Sequence, residues 1–337
     1  MIKNISNLIF MTTLMIGSLI SISSNSWLGA WMGLEINLLS FIPIIINLKN
    51  SLSTESALKY FLTQALASSI LLFSILIISI KNNYLHTEIN SLMNFILNST
   101  LFMKMGAAPF HFWFPEMMEG LSWMTSLILM TWQKIAPMIL ISYCLIPFYA
   151  MTASIISIIA GSIGGLNQLN LRKLMAYSSI NHLGWMLGSL MISNFYWLVY
   201  FSLYTLISTA IISLFNQFNL FKINQLFNLS NFNPLMKFLL FCNLLSLGGL
   251  PPFTGFLPKW IVIQMMSSIN PFLISMMVVP TLITLFFYIR LSYSAFLINY
   301  TQTKWNFYYE SKMNKSIILH GLTLLGLPII SIIYFTL

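Results

Sequence analysis

The chain has no aspartate, and only six of its 337 residues are acidic, all of them glutamate. Charged residues of both signs make up 6%, where a water-soluble domain carries roughly a quarter. With 58% hydrophobic residues, that scarcity excludes a soluble globular protein and places the chain in lipid. Arginine is nearly missing, Arg172 and Arg290 being the whole complement. The formal charge of +9 does not signal nucleic acid, because 15 basic residues spread through apolar spans form no stripe and no nucleic-acid motif accompanies them. Cysteine is scarce as well. Cys144 and Cys242 stand in apolar segments, outside any CxxC or Cys/His pattern, and read as core residues that say nothing of redox compartment. No G-x-G-x-x-G, no G-x-x-x-x-G-K-[ST] and no zinc or iron-sulfur ligand set occurs, so nucleotide or metal chemistry would belong to another chain. Gly161, Gly164 and Gly165 lie mid-span, where small residues serve helix packing.

What is present is a motif that occurs twice. Gly106-Ala107-Ala108-Pro109-Phe110 through Pro115 and Gly249-Leu250-Pro251-Pro252-Phe253 through Pro258 both read G-x-x-P-F-x-x-x-x-P. Each interrupts an apolar stretch long enough to cross a bilayer, and each has a lysine beside it, Lys104 before the first and Lys259 after the second. Glycine and proline at matching places in two halves are the trace of repeats whose discontinuous helices meet near the midplane and line a polar path. The helix breaks are therefore expected at Gly106 to Pro109 and at Gly249 to Pro252.

At about 20 apolar residues per crossing, the fold class is an all-α polytopic membrane protein of about eleven helices. Spans are expected near 6–24, 27–47, 57–80, 91–114, 122–145, 147–168, 174–192, 195–218, 235–268, 272–297 and 316–336. The first is read as a retained helix, since no small-residue cleavage site or Arg-rich transit segment is evident. A first five-helix repeat over 1–146 holds a broken helix at about 91–119. A second over 147–298 holds one at about 235–268, and 299–337 forms a loop and a C-terminal helix. An odd helix number inverts the second repeat relative to the first. On this count, eleven of the fifteen basic residues fall on the side of the N-terminus, Lys3, Lys49, Lys173, Lys237 and Lys304 among them, and Lys81 alone falls opposite. Such a bias puts the N-terminus on the cytoplasmic or matrix side and the C-terminus opposite.

The costly residues are Glu35, Lys104, Lys134 and Lys259. Glu35 and Lys134 sit roughly 12 and 18 Å into their spans at 1.5 Å per residue, near the centre of a core about 30 Å thick. A charge there costs at least about 2.5–3.5 kcal/mol. Snorkelling suits Lys59 and Lys237 at span ends, but Lys134 is too deep for it. At about 10 Å and an effective dielectric of about 20, Glu35 and Lys104 interact by roughly 1.7 kcal/mol, enough for the carboxylate to bias whether the lysine holds its proton. The competing reading is an inert ion-paired strut. His182, mid-span, either relays protons or is a hydrogen-bonded packing residue. His111, inside the first motif, is expected to satisfy freed backbone. Glu116 and Glu119 read as a solvated helix end, and His86 and His320 as loop or span-end residues without a role.

The paired breaks, Glu35 in Trp31-Met32-Gly33-Leu34-Glu35-Ile36-Asn37, Lys104 in Phe102-Met103-Lys104-Met105-Gly106, Trp132-Gln133-Lys134, and Arg172-Lys173-Leu174-Met175-Ala176-Tyr177-Ser178-Ser179-Ile180-Asn181-His182 carry a family resemblance. Together they resemble the chain 2 family of NADH-ubiquinone oxidoreductases, the mitochondrially encoded antiporter-like subunits of respiratory complex I. Abundant Asn, Ile, Met and Phe with two Arg suits an AT-rich organelle genome of arthropod type. The resemblance implies proton translocation through two half-channels, coupled to NADH oxidation and ubiquinone reduction by other subunits. Glu35 would pair with Lys104, Lys134 would bridge the half-channels, and Lys259 would release the proton. It implies no cofactor on this chain, with FMN, iron-sulfur clusters and ubiquinone elsewhere in the complex. Its partners would be other membrane-arm subunits, especially neighbouring antiporter-like and small membrane subunits, together with phospholipids, in the mitochondrial inner membrane. The alternatives are a subunit of a multi-chain cation/proton antiporter and a membrane scaffold with a dead channel.

Overall fold

The computed structural model describes residues 5–47, 50–81, 87–228, 234–297, 320–321 and 323–324. Within them the regular structure is helical, as it must be where no water can satisfy an exposed backbone. The chain divides into two compact units, Met1–Ser157 and Ile158–Leu337. Lys3, Lys49, His86, Lys304, Lys312, Lys315 and most of the expected C-terminal helix lie outside the described residues.

The first unit begins with α1 (Ile5–Ser23) and α2 (Trp27–Ile45), joined by a turn in which the Ser26 hydroxyl caps α2 by accepting from the Gly29 amide. These two helices pack backbone to backbone. A Cβ on Gly33 would lie 2.5 Å from the Ser21 amide nitrogen, and one on Gly17 would lie 2.9 Å from that of Asn37. Small residues permit this approach, which supplies dispersion contact where lipid offers no hydrophobic drive between helices. The long α3 (Ser51–Lys81) follows, then α4 (Thr87–Met105) and the short α5 (Trp113–Gly120).

The expected continuous span 122–145 is two helices, α6 (Trp123–Met130) and α7 (Trp132–Cys144), divided at Thr131. Sequence periodicity could not show this, because both pieces are apolar and Thr131 is an ordinary span residue. Beyond it Pro137 lies inside α7 and removes the amide that would bond to the Gln133 carbonyl, which loosens the backbone beside Lys134. Helix α8 (Pro147–Gly165) runs from the end of the first unit into the second.

In the second unit α9 (Leu171–Ile192) is buried on nearly every side, so its polar residues Ser178, Ser179, Asn181 and His182 face protein. A Cβ on Gly161 of α8 would meet the Asn181 nitrogen at 2.7 Å, and one on Gly164 would meet the Tyr177 ring at 2.3 Å. The mid-span glycines thus bring α8 and α9 into close contact. Then come α10 (Asn194–Gln217), a short α11 (Ile223–Asn228), α12 (Pro234–Gly248), α13 (Phe256–Ser267) and α14 (Pro271–Leu297). Among the described residues one antiparallel bridge ties Asn170, just before α9, to Lys222, just before α11.

Seven spans among the described residues are long and apolar enough to cross a bilayer: α1, α2, α3, α8, α10 and α14 each alone, and α6 and α7 taken together. The broken helices are too short in each half, and α9 is diluted by its polar residues.

Candidate functional site

Each repeat of the G-x-x-P-F motif ends a helix in the same way. Gly106 and Gly249 take φ of +75° and +89°, the left-handed region open to a residue without Cβ. The Gly106 amide donates to Met103 O at 3.3 Å and Ala107 to Phe102 O at 3.0 Å; Gly249 donates to Ser246 O at 3.0 Å and Leu250 to Leu245 O at 3.3 Å. This is the paired bonding of a Schellman cap. The helix stops at glycine; Pro109, Pro251 and Pro252 lie in the loop that follows, and Pro115 and Pro258 fall in the first turn of the helix that resumes. Helix resumes at Trp113 and at Phe256. Such a cap leaves the last carbonyls of α4 and α12 without helical donors, in a region where unsatisfied groups are expensive.

The two breaks satisfy those carbonyls differently. At the first, Gln64 Nε2 of α3 donates to Lys104 O at 3.2 Å and Trp113 Nε1 donates to Met103 O at 3.1 Å. His111, expected to satisfy freed backbone, bonds the Pro109 backbone within the break loop rather than the last carbonyls of α4, and its ring lies tilted against Phe112 with centroids 4.3 Å apart. At the second break the lysine itself does the work. Lys259 Nζ donates to Gly248 O at 2.9 Å and to Leu247 O at 3.4 Å.

Lys104 and Lys134 are buried, 7% and 1% exposed, and both line one cavity of about 20 Å³ with Asn37, Tyr60, Gln64 and Gln133. That volume holds a single water. Gln133 Nε2 donates to Asn37 Oδ1 at 2.8 Å along its wall. Lys134 Nζ stands over the Phe114 ring, 5.3 Å from its centroid, and a Cβ on Gly106 would meet that same ring. The first break, Phe114 and Lys134 are thus in contact in series. Among the described residues Lys104 Nζ has no hydrogen-bond partner, so its charge depends on the cavity and on Glu35. Glu35 is half-buried on α2 and acts on Lys104 and on Tyr60 through space, without an ion pair inside 4.0 Å.

In the second unit His182 Nδ1 lies 2.9 Å from Tyr200 Oη, with the Tyr204 ring 5.1 Å away. Lys259 is 6% exposed. Lys237, expected to snorkel, is 5% exposed and packed within the protein, a placement its position in sequence did not reveal. Lys59, by contrast, is 38% exposed by side chain and pairs at 3.0 Å with both Glu55 and Glu116. Glu116 is therefore ion-paired at the surface.

Sequence reasoning passed over Gln64, Asn37 and Gln133. Their signal was present, since each is an uncharged amide in the middle of an apolar run. Among the described residues no three His, Cys, Asp or Glu converge as a metal site would require.

A family model described as NADH:quinone oxidoreductase/Mrp antiporter, TM, matches residues 24–284, and one described as NADH dehydrogenase subunit 2 C-terminus matches 285–334. The chain is similar to NADH-ubiquinone oxidoreductase chain 2 of Anopheles gambiae, with 57% identity over 98% of this chain and 99% of that one. In fold it is similar to a chain of respiratory complex I from Thermus thermophilus, at TM-score 0.82 and 22% identity over 96% of this chain and 79% of that one. A chain of the Mrp complex from Dietzia sp. gives TM-score 0.76 and 15% identity, covering 84% and 59%.

Proposed function

The chain belongs to the NADH:quinone oxidoreductase/Mrp antiporter transmembrane family, and on that premise we propose that it carries protons across the inner mitochondrial membrane as subunit 2 of complex I. It is a multi-pass membrane subunit of an NADH:quinone oxidoreductase. The observation that carries the proton reading is the cavity holding Lys104 and Lys134 together with three amide side chains beside a capped helix break. Buried ammonium groups on an inert strut would be ion-paired, and Lys104 is not. A water in that cavity would lie between the two lysines and could relay a proton by accepting one from the ammonium of one on an oxygen lone pair and donating a different O–H proton to the neutral amine of the other.

In this reading Glu35 sets the field at Lys104, Lys134 receives the proton across the cavity, and Lys259 with His182 serves the second half-channel. The eleven crossings in two inverted repeats and the matrix-side N-terminus complete the proposal, supported by the matched breaks and the lysine bias. We place FMN, the iron-sulfur clusters and ubiquinone in other parts of the complex, with neighbouring membrane-arm subunits and phospholipids as this chain's partners. Full-length similarity to a chain 2 protein favours complex I over a stand-alone cation/proton antiporter, whose likeness is one of fold.

The test is Lys104→Met in the assembled complex. Met fills the same volume without charge, so the complex should form while protons translocated per NADH oxidised decrease. An unchanged ratio would remove Lys104 from the path.

A further inference from the structure

The C-terminal segment, beyond the two five-helix repeats, places a histidine against the second break. His320 is wholly buried, and its Nδ1 lies 2.9 Å from Asn243 Nδ2 on α12. Thr323 Oγ1 bonds to Asn243 Oδ1 and lies 2.8 Å from His320 O, while Thr254 Oγ1, in the break loop, donates to Thr323 O at 2.7 Å. The segment is thus stapled to α12 and to the break loop that follows it. Asn243 precedes Leu247 by four residues, so the two share a face of α12, about 6 Å apart along the axis. Leu247 O is one of the carbonyls that hold Lys259.

His320 Nε2 is buried and has no hydrogen-bond partner among the described residues. A buried ring nitrogen left without a protein partner calls for an explanation, a catalytic role or a water among them. The network around Nδ1 allows two wirings. In one, the Asn243 NH₂ donates to Nδ1 and the ring proton sits on Nε2. With the amide turned by half a rotation, Nδ1–H donates to the Asn243 oxygen, the NH₂ donates to Thr323 Oγ1, and the Thr323 proton goes to His320 O. In the second wiring Nε2 has a free lone pair. A proton added there gives an imidazolium whose Nδ1–H keeps the same acceptor, and the proton leaves again from Nε2. Asn243 therefore holds one nitrogen in either charge state and leaves the other as the exchanging position.

We propose that His320 is a proton-loading residue of the second break, exchanging at Nε2 through water with the polar nest around Lys259. This deepens the proton-conducting reading and rests on it. The experiment compares complex I carrying His320→Gln, His320→Phe or Lys259→Gln in this subunit. Assembly is read on native gels, and protons translocated per NADH oxidised are read in vesicles. Gln keeps a polar contact to Asn243 but carries no proton. The expected result is that His320→Gln assembles and its proton ratio falls to that of Lys259→Gln. Three outcomes overturn the proposal. They are a wild-type ratio in His320→Gln, failure of His320→Gln to assemble, which makes the imidazole a structural member, and a wild-type ratio in His320→Phe. A wild-type ratio in Lys259→Gln as well would overturn the proton-conducting reading itself, so the two failures are distinguishable.

Discussion

Replacing Lys104 and Lys259 by methionine should separate function from stability, because the two lysines are held in opposite ways. Lys259 Nζ donates to two backbone carbonyls at the end of α12, at 2.9 and 3.4 Å. Hydrogen bonds from a charged donor are worth about 1.5–3 kcal/mol each, the longer one contributing least, and the favourable dipole of a helix C-terminus adds about 0.3–1 kcal/mol. Methionine would leave both carbonyls unsatisfied inside the protein. Lys259→Met should therefore destabilise the second break by about 2–5 kcal/mol and lower proton translocation. Lys104 has no bonded partner for Nζ among the described residues, and its own carbonyl is served by Gln64 whatever the side chain. Removing an unpaired buried charge costs nothing and relieves desolvation, so Lys104→Met should hold or raise stability while lowering translocation as much.

The assay is thermal release of the subunit from the detergent-solubilised complex, run beside proton translocation in vesicles. Lys259→Gln is the control that separates the terms, since its amide can donate to one carbonyl. It should recover about half the lost stability and none of the transport. Equal stability losses in Lys104→Met and Lys259→Met would refute the assignment of the carbonyl nest to Lys259. So would a stable Lys259→Met that still pumps.

Other outcomes follow from the same geometry. Gly249→Ala puts a side chain at φ +89° with its Cβ 3.1 Å from Lys259 Nζ, so it should cost about 1–2 kcal/mol of backbone strain and lower transport by displacing the ammonium; thermal release and proton ratio check this together. Lys59→Met breaks two exposed pairs, to Glu55 and Glu116, worth about 0–1 kcal/mol together; the proton ratio should be unchanged, and a clear loss would assign this surface triad a part in transport. Glu35→Gln should lower transport less than Lys104→Met, and the double variant should be no worse than Lys104→Met alone, because coupled residues are non-additive; additive losses would show that Glu35 acts on a group other than Lys104.

The breaks were legible in the sequence because glycine and proline are the residues whose backbone chemistry a helix cannot hide. The deep charges were legible for a similar reason, since an ionisable residue in an apolar run has a cost that something must offset. What was not legible was the identity of the partners. Gln64 stands out as an amide in an apolar run, but only the packing of α3 against α4 shows that it caps the Lys104 carbonyl. The interruption at Thr131 left no mark in hydrophobic periodicity, and the burial of Lys237 could not follow from its place near a span end. His320 looked peripheral because its partner Asn243 is 77 positions away, and Thr254 reaches the same segment at Thr323 from 69 positions away, so both meet it only through tertiary structure.

The lysines stand before the first break and after the second, which in sequence looks like an inconsistency between repeats. The structure resolves it electrostatically. Lys104 lies in the last turn of α4, where the negative end of the helix dipole favours a cation. Lys259 lies in the first turn of α13, where its own helix disfavours one, yet its side chain turns back to the carbonyls that end α12. Both ammonium groups therefore belong to the C-terminal end of the helix preceding the break. At the first break that end is already hydrogen-bonded by Gln64 and Trp113, and Lys104 lines the cavity instead, where on the proposed reading it would exchange its proton with water. At the second, Lys259 would give up two carbonyl bonds on losing its proton, so on the proposed reading deprotonation there is tied to the state of the break, and proton release from that half-channel would be gated by backbone movement.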